Sequence, residues 1–219
     1  QCIQPQPPAA RGGAVRLTGG LDLWDDLPFE VDAELRGVAL ERILANVTIP
    51  GSFCAFDADG VAHLSGHVKN GFHGRGHASI DVRNLVVTRG PWNAPVPEPE
   101  LLRVPTAHIE AGLTIGGGEL TLAPARITGP GSSLDVTTIF KLTEKPLGLD
   151  IRVLGGEIDL DDLGNEVVLQ PVDGKGRISA RIAGPSNRLL IEGSLELADF
   201  FFRGWGFGSV AGDIRWQAP

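Results

Sequence analysis

Four histidines lie close together in the sequence, at His63, His67, His73 and His77. Imidazole nitrogens are the commonest metal ligands in proteins. Residues four apart on one strand lie about 13 Å from each other, so neither sequential pair can share an ion. If Asn70 and Gly71 form a two-residue hairpin turn, His67 faces Gly74 and the histidines divide between the two faces of the sheet. We therefore expect solvated histidines and no metal site, although a loop of odd length would change this pairing.

Two acidic segments resemble calcium loops. Asp57–Gly60 has aspartates at alternate positions, and Asp159–Asn165 contains more acidic residues. The second segment has Leu163 where a calcium loop needs an oxygen, and Gln170 where it needs a bidentate glutamate. We expect the first to be a turn and the second to begin a short helix, with its acids near the helix N-terminus.

The sequence contains no other motif that indicates catalysis or a cofactor. The glycines match neither the phosphate-binding nor the dinucleotide-binding pattern, and there is no nucleophile elbow. The formal charge of −8 without a basic block argues against nucleic-acid binding. The longest uncharged stretch, Ile43–Phe56, contains Pro50 and Gly51, so it is not expected to span a bilayer. The chain starts at Gln1 and contains no Met, so we expect an excised piece of a longer protein. Because no catalytic constellation is visible, we expect that it is not an enzyme.

The two cysteines, Cys2 and Cys54, could form a disulfide in an oxidising compartment. The alternative is two unrelated thiols, one near the terminus and one in an apolar position.

Alternation of apolar and polar residues dominates the chain. It is clearest in Phe29–Arg36, Leu147–Val153, Arg177–Ile182 and Leu189–Ala198, and turn residues punctuate these segments. Such alternation predicts strands with one apolar and one polar face. Helix is expected only at Gly37–Asn46 and Asp159–Glu166. The sequence therefore predicts a nearly all-β, antiparallel fold.

An internal repeat organises these strands. Leu27–Gly37 aligns with Lys145–Gly155, and two later blocks align in the same order at an offset of about 115 residues. We interpret residues 14–131 as one unit and 132–219 as a second, truncated unit. The Pro-rich stretch 91–99 is expected to be a loop inside the first unit.

So few helices cannot cover the apolar faces of these strands. Either two sheets close into a sandwich, or one long sheet curls and leaves an open apolar groove. An open groove on a protein surface usually marks a binding site.

The repeat resembles that of the TamB branch of the AsmA-like proteins. The resemblance is carried by Gly174–Asp199, by Ser132–Leu163 and by Leu27–Leu44, and it extends over about 15–90 and 101–216. It implies a β-taco, a long curled antiparallel sheet whose inner face carries phospholipid acyl chains between the two membranes of a Gram-negative bacterium. It also implies an inner-membrane anchor and a partner in the BamA-like family of outer-membrane β-barrels, both outside this chain, and a role in outer-membrane biogenesis and protein secretion.

If the resemblance holds, apolar residues of the strands form the lipid-binding groove. The expected groove residues are Phe29, Val31, Leu35, Leu64, Val68, Ile80, Val82, Leu149, Ile151, Val153, Ile178, Ile182, Leu189, Ile191, Leu195 and Leu197. The alternative is a closed β-sandwich that serves as an adhesion or carbohydrate-binding module, with Trp24, Trp92 and Trp216 as rim aromatics.

Overall fold

A computed structural model describes residues 13–23, 26–39, 54–69, 71–88, 100–163, 172–185 and 188–217. These residues form eleven strands and one single-turn 3₁₀ helix. The strands are β1 (Ala14–Leu21), β2 (Pro28–Ala39), β3 (Cys54–His67), β4 (His73–Thr88), β5 (Glu100–Gly116), β6 (Glu119–Thr128), β7 (Ser133–Lys141), β8 (Gly148–Asp159), β9 (Val172–Pro185), β10 (Leu190–Phe202) and β11 (Trp205–Gln217), and the 3₁₀ helix covers Leu160–Leu163.

All eleven strands belong to one antiparallel sheet, and their order in space is their order in sequence. Each strand therefore pairs with its sequence neighbours, and β1 and β11 form the two edges. The predicted all-β fold with a single open sheet is confirmed.

The alternation seen in the sequence becomes two distinct faces. Directly paired residues point to the same side of a sheet, so the register defines continuous rows across the strands. One face, which we call the apolar face, carries the aliphatic side chains. The opposite face, the polar face, carries most of the charged side chains.

Bulges interrupt the register at many strand pairs and bend the sheet. One lies in β2 between Leu35 and Val38, where Gly37 adopts a left-handed φ of 56°. The Gly37 amide donates a 2.7 Å hydrogen bond to the carboxylate of Asp59 on β3, which fixes the bulge. Bulges increase strand twist and bend, which is the local cause of a curled sheet.

Burial on the apolar face is consistent with that curl. Val136 is 4% exposed and Ala125 is 5% exposed, although no second sheet lies over them among the described strands. The 3₁₀ helix lies against both β5 and β9. These strands would be about 19 Å apart in a flat sheet, whereas a four-residue 3₁₀ helix is only roughly 8 Å long.

The 3₁₀ helix is held at the β6–β7 turn by side-chain hydrogen bonds. The Gly131 amide donates to the Asp162 carboxylate at 2.9 Å, and the Asp159 amide donates to the hydroxyl of Ser132 at 2.9 Å. The turn thereby anchors the end of β8.

Both helix predictions need correction. Gly37–Ala39 continues β2, because the left-handed Gly37 lets the strand resume after the bulge, and residues 40–46 lie outside the described residues. At Asp159–Glu166, Asp159 ends β8 and only Leu160–Leu163 is helical, as a single 3₁₀ turn; residues 164–166 are not described.

The expected boundary between the two units falls in the β6–β7 hairpin, and the sheet continues through it by direct pairing. The Pro-rich stretch 91–99 lies outside the described residues. Cys54 begins β3, but Cys2 and the Cys54 side chain are not described, so the disulfide stays a prediction. In the described part of the chain, no helix is long and apolar enough to cross a bilayer.

Candidate ligand-binding face

Two rows of directly paired residues run without a break across all eleven strands of the apolar face. The leucine row consists of Gly19, Val31, Leu64, Gly76, Leu113, Leu122, Thr138, Ile151, Ile182, Ile191 and Trp216. The alanine row consists of Leu17, Ala33, Ala62, Ala78, Ala111, Ala125, Val136, Val153, Ala180, Gly193 and Ile214. Strand spacing makes each row about 48 Å long.

The small side chains of the alanine row have larger neighbours on both sides. On one side is the leucine row, and on the other is a third row that begins Val15, Leu35, Gly60, Ile80, Ile109, Ile127 and Leu134. From β2 to β6, where every member of the alanine row is an alanine, the apolar face therefore has a shallow floor between two mostly aliphatic rows, and this floor runs perpendicular to the strands.

Most of the expected groove residues lie on this face. The register places there Phe29, Val31, Leu35, Leu64, Ile80, Val82, Leu149, Ile151, Val153, Ile178, Ile182, Ile191, Leu195 and Leu197. Val68 and Leu189 lie in the turns beside β3 and β10, outside the strands.

Sequence reasoning missed one buried cluster of this face. Ala111, Ala125 and Val136 form a cluster with partly buried aliphatic residues of β5–β8 around it. In β5 the alternation of apolar and other residues from Ile109 to Ile115 could have revealed this part of the face. In β6 the register shifts between Leu122 and Ala125, so the apolar positions change from even to odd numbers and the alternation is lost.

Burial decreases toward the two edges of the sheet. Val15 and Leu17 on β1 are 48% and 67% exposed, and Ile214 and Trp216 on β11 are 44% and 42% exposed. The apolar face is therefore open to solvent or to a ligand at both ends of its rows.

Ion pairs connect neighbouring strands on the polar face. Asp150 on β8 accepts hydrogen bonds from Arg152 at 2.8 Å and from Arg181 at 3.0 Å. These two guanidinium groups hold the pKa of Asp150 well below its usual range. Glu192 and Arg215 form a similar cross-strand pair near the β11 edge, at 3.3 Å. In the described strands, most of the charge lies on this face, which makes the two sides of the sheet chemically different.

The four histidines all lie on the polar face, which corrects the expectation that they divide between the faces. His67 pairs with His73 and His63 pairs with His77 across β3 and β4, because the hairpin loop has five residues rather than two. A shift of one residue in the pairing register moves every side chain of the second strand to the opposite face. The ring centroids are 5.3 Å apart in the first pair and 5.7 Å apart in the second.

His63 and the isolated His108 have matching carboxylate neighbours. His63 Nδ1 is 2.9 Å from Asp32, with Glu30 3.9 Å from its Nε2. His108 Nδ1 is 2.7 Å from Asp81, with Glu110 3.6 Å from its Nε2. The hydrogen bond to Asp81 raises the pKa of His108 above its ordinary value.

The acidic segments do not form calcium loops in the described residues. Asp57–Gly60 is part of β3, so the expected turn is wrong. Asp159, Asp161 and Asp173 do converge, but the Asp159 carboxylate is 2.7 Å from the Lys175 ammonium. That ammonium lowers the pKa of Asp159, whereas repulsion from Asp173 raises the pKa of Asp161. The lysine supplies the positive charge that a cation would bring.

In comparisons with known proteins, no family model, curated protein or solved structure matches the chain.

Proposed function

We propose that this chain is a section of a periplasmic lipid conduit, in which phospholipid acyl chains lie along the apolar face. The observation that supports this most directly is the continuity of the leucine and alanine rows across all eleven strands. A path perpendicular to the strands is also the direction in which a sheet can be lengthened without altering its cross-section.

The energetics favour an apolar ligand. Apolar surface left in water costs roughly 25 cal/mol per Å², and the exposed aliphatic side chains of β1 and β11 show that this cost is incurred at both edges. A large exposed apolar patch normally marks a site where another molecule binds. Acyl chains cover such a face without needing any hydrogen-bond partner.

The length of the face suits this role. At about 48 Å, a row exceeds the roughly 30 Å thickness of a bilayer's hydrocarbon core. Several acyl chains could therefore lie end to end along it, with their headgroups left in water at the open side. Charged groups of the polar face stay on the opposite side, away from the lipid.

The resemblance to the TamB branch supplies the cellular setting of the proposal. In that setting the full-length protein is anchored in the inner membrane of a Gram-negative bacterium, contacts a BamA-like outer-membrane barrel through other segments, and assists outer-membrane biogenesis. The chain itself performs no catalysis in this proposal. The adhesion alternative requires two facing sheets, whereas the described strands form one sheet.

Site-specific photocrosslinking tests the proposal. A benzophenone amino acid replaces Ile191 on the apolar face or, as the matched control, the adjacent Glu192 on the polar face. After irradiation in cells or with phospholipid vesicles, we expect lipid adducts by mass spectrometry at position 191 and not at 192. Equal labelling at both positions, or labelling at neither, would refute lipid binding to this face.

Charge substitution tests whether the apolar face holds phospholipid. Ile151→Asp places an unpaired carboxylate in the leucine row, which is costly against acyl chains. Thr114→Asp adds the same charge on the polar face, across from Arg75. We expect Ile151→Asp to abolish co-purifying phospholipid and Thr114→Asp to retain it, with circular dichroism used to check that both variants fold. A folded Ile151→Asp protein with unchanged lipid content would count against the mechanism.

A further inference from the structure

The polar face carries a second candidate site, unrelated to the lipid proposal, around His63 and His77. We propose that these two imidazoles bind a divalent transition-metal ion such as zinc, with Glu30 as a third ligand and Asp32 as the group that orients His63.

Cross-strand pairing gives the two rings a suitable separation. A zinc–nitrogen bond of about 2.1 Å puts each ring centroid about 3.2 Å from the metal, so two imidazoles at a tetrahedral angle have centroids about 5.2 Å apart. The centroids of His63 and His77 are 5.7 Å apart and their planes are inclined by 33°. The observed separation is therefore about 0.5 Å greater than a shared zinc ion would require.

The carboxylates complete the donor set. The oxygen of Glu30 lies 3.9 Å from His63 Nε2, a distance that one ion can bridge with bonds of about 2.1 Å to each atom. Asp32 lies 2.9 Å from the other nitrogen, Nδ1. A metal-binding histidine typically donates its second N–H to a carboxylate, which fixes the ring and raises its basicity. His63 has that arrangement.

The surroundings leave room for an ion. His77 pairs on its other side with Gly112 of β5, which has no side chain to cover the ring. Arg75, on the same face, is the nearest cation of β4 and pairs with Ser65 rather than with either histidine. His67 and His73 form a second histidine pair, with ring centroids 5.3 Å apart. The Ser65–Arg75 pair lies between the two histidine pairs on β3 and β4.

The ligand types indicate the class of metal. Two imidazoles with a carboxylate suit zinc, copper or nickel, whereas calcium and magnesium prefer all-oxygen sites. Mixed nitrogen and oxygen donors on adjacent strands would also tie β2, β3 and β4 together, so binding should raise the melting temperature.

The test is zinc titration by calorimetry on the 219-residue chain. A His67→Gln/His73→Gln background removes the second pair, so that a single equivalent of zinc is expected. In that background, His77→Gln should weaken zinc binding at least ten-fold, and Asp32→Asn should weaken it on the order of 10–100-fold.

His108→Gln is the matched control, because His108, like His63, has one aspartate and one glutamate beside its ring but no cross-strand histidine. It should leave zinc affinity unchanged. Imidazole resonances of His63 and His77, followed by NMR, should shift together with zinc and not with magnesium. Absence of zinc binding in the background protein, or equal losses in His77→Gln and His108→Gln, would overturn the proposal.

Discussion

Val136→Ala measures how much the apolar face contributes to folding. Val136 lies on β7 in the alanine row and is 4% exposed. The substitution removes two buried carbon atoms at about 0.8 kcal/mol each, or about 1.6 kcal/mol. Incomplete collapse of the space adds about 0.5–1 kcal/mol. We expect the free energy of unfolding to fall by about 2–2.5 kcal/mol.

Thr137→Ala is the control on the same strand. Thr137 points to the polar face and pairs with Arg152. Valine and threonine are both β-branched, so the control accounts for the loss of strand propensity, which is at most about 1 kcal/mol.

Urea unfolding followed by circular dichroism gives both values. With a slope near 3 kcal/mol per molar urea, the Val136→Ala midpoint should fall by roughly 0.7–0.8 M. An equal or larger loss in Thr137→Ala would refute the view that the apolar face is the stabilising side of the sheet.

Three other perturbations test separate parts of the structure. Asp150→Asn should lower the free energy of unfolding by about 1 kcal/mol at pH 7. Because the pKa of Asp150 is lowered in the folded state, this difference from wild type should shrink as the pH falls below about 4, as measured by urea unfolding at a series of pH values. His108→Gln should show the opposite pH dependence, because Asp81 raises the pKa of His108. The loss in free energy of unfolding should be present below about pH 6.5 and disappear as the pH rises through the pKa of the folded state, which NMR titration measures directly. Gly37→Ala should destabilise by about 1–2 kcal/mol through its left-handed backbone alone, since an added Cβ meets no atom within 4 Å; a neutral result in thermal melts would contradict the bulge geometry.

The sequence predicts the two faces well because alternation depends only on strand conformation. Alternation placed Ile151, Ile182 and Ile191 on one apolar face, and the strand register pairs them there. A single inserted residue defeats the same rule. In β6 the register shift after Leu122 hides the apolar positions that follow it.

Hairpin loops are the second limit, and the histidines show it. A two-residue loop after Lys69 is a reasonable inference from Asn70 and Gly71, yet the strands resume only at His73. That change of one residue brings His73 and His77 to the face of His63. Local turn preference could not reveal this, because the register is set by packing along the whole of β3 and β4, including the stacking of Phe72 on Phe29.

The sequential strand order has a consequence for how such a sheet could change in length. Because every strand pairs with its neighbours in sequence, a hairpin such as β6–β7 is a self-contained module. Removing two consecutive strands would rejoin strands of compatible direction and shorten the rows by about 10 Å. Removing one would leave two parallel strands joined by a short loop, which antiparallel hairpin geometry does not allow. The span of the sheet is therefore free to vary in steps of two strands, as in other linear repeat architectures whose stability is a sum over nearest neighbours.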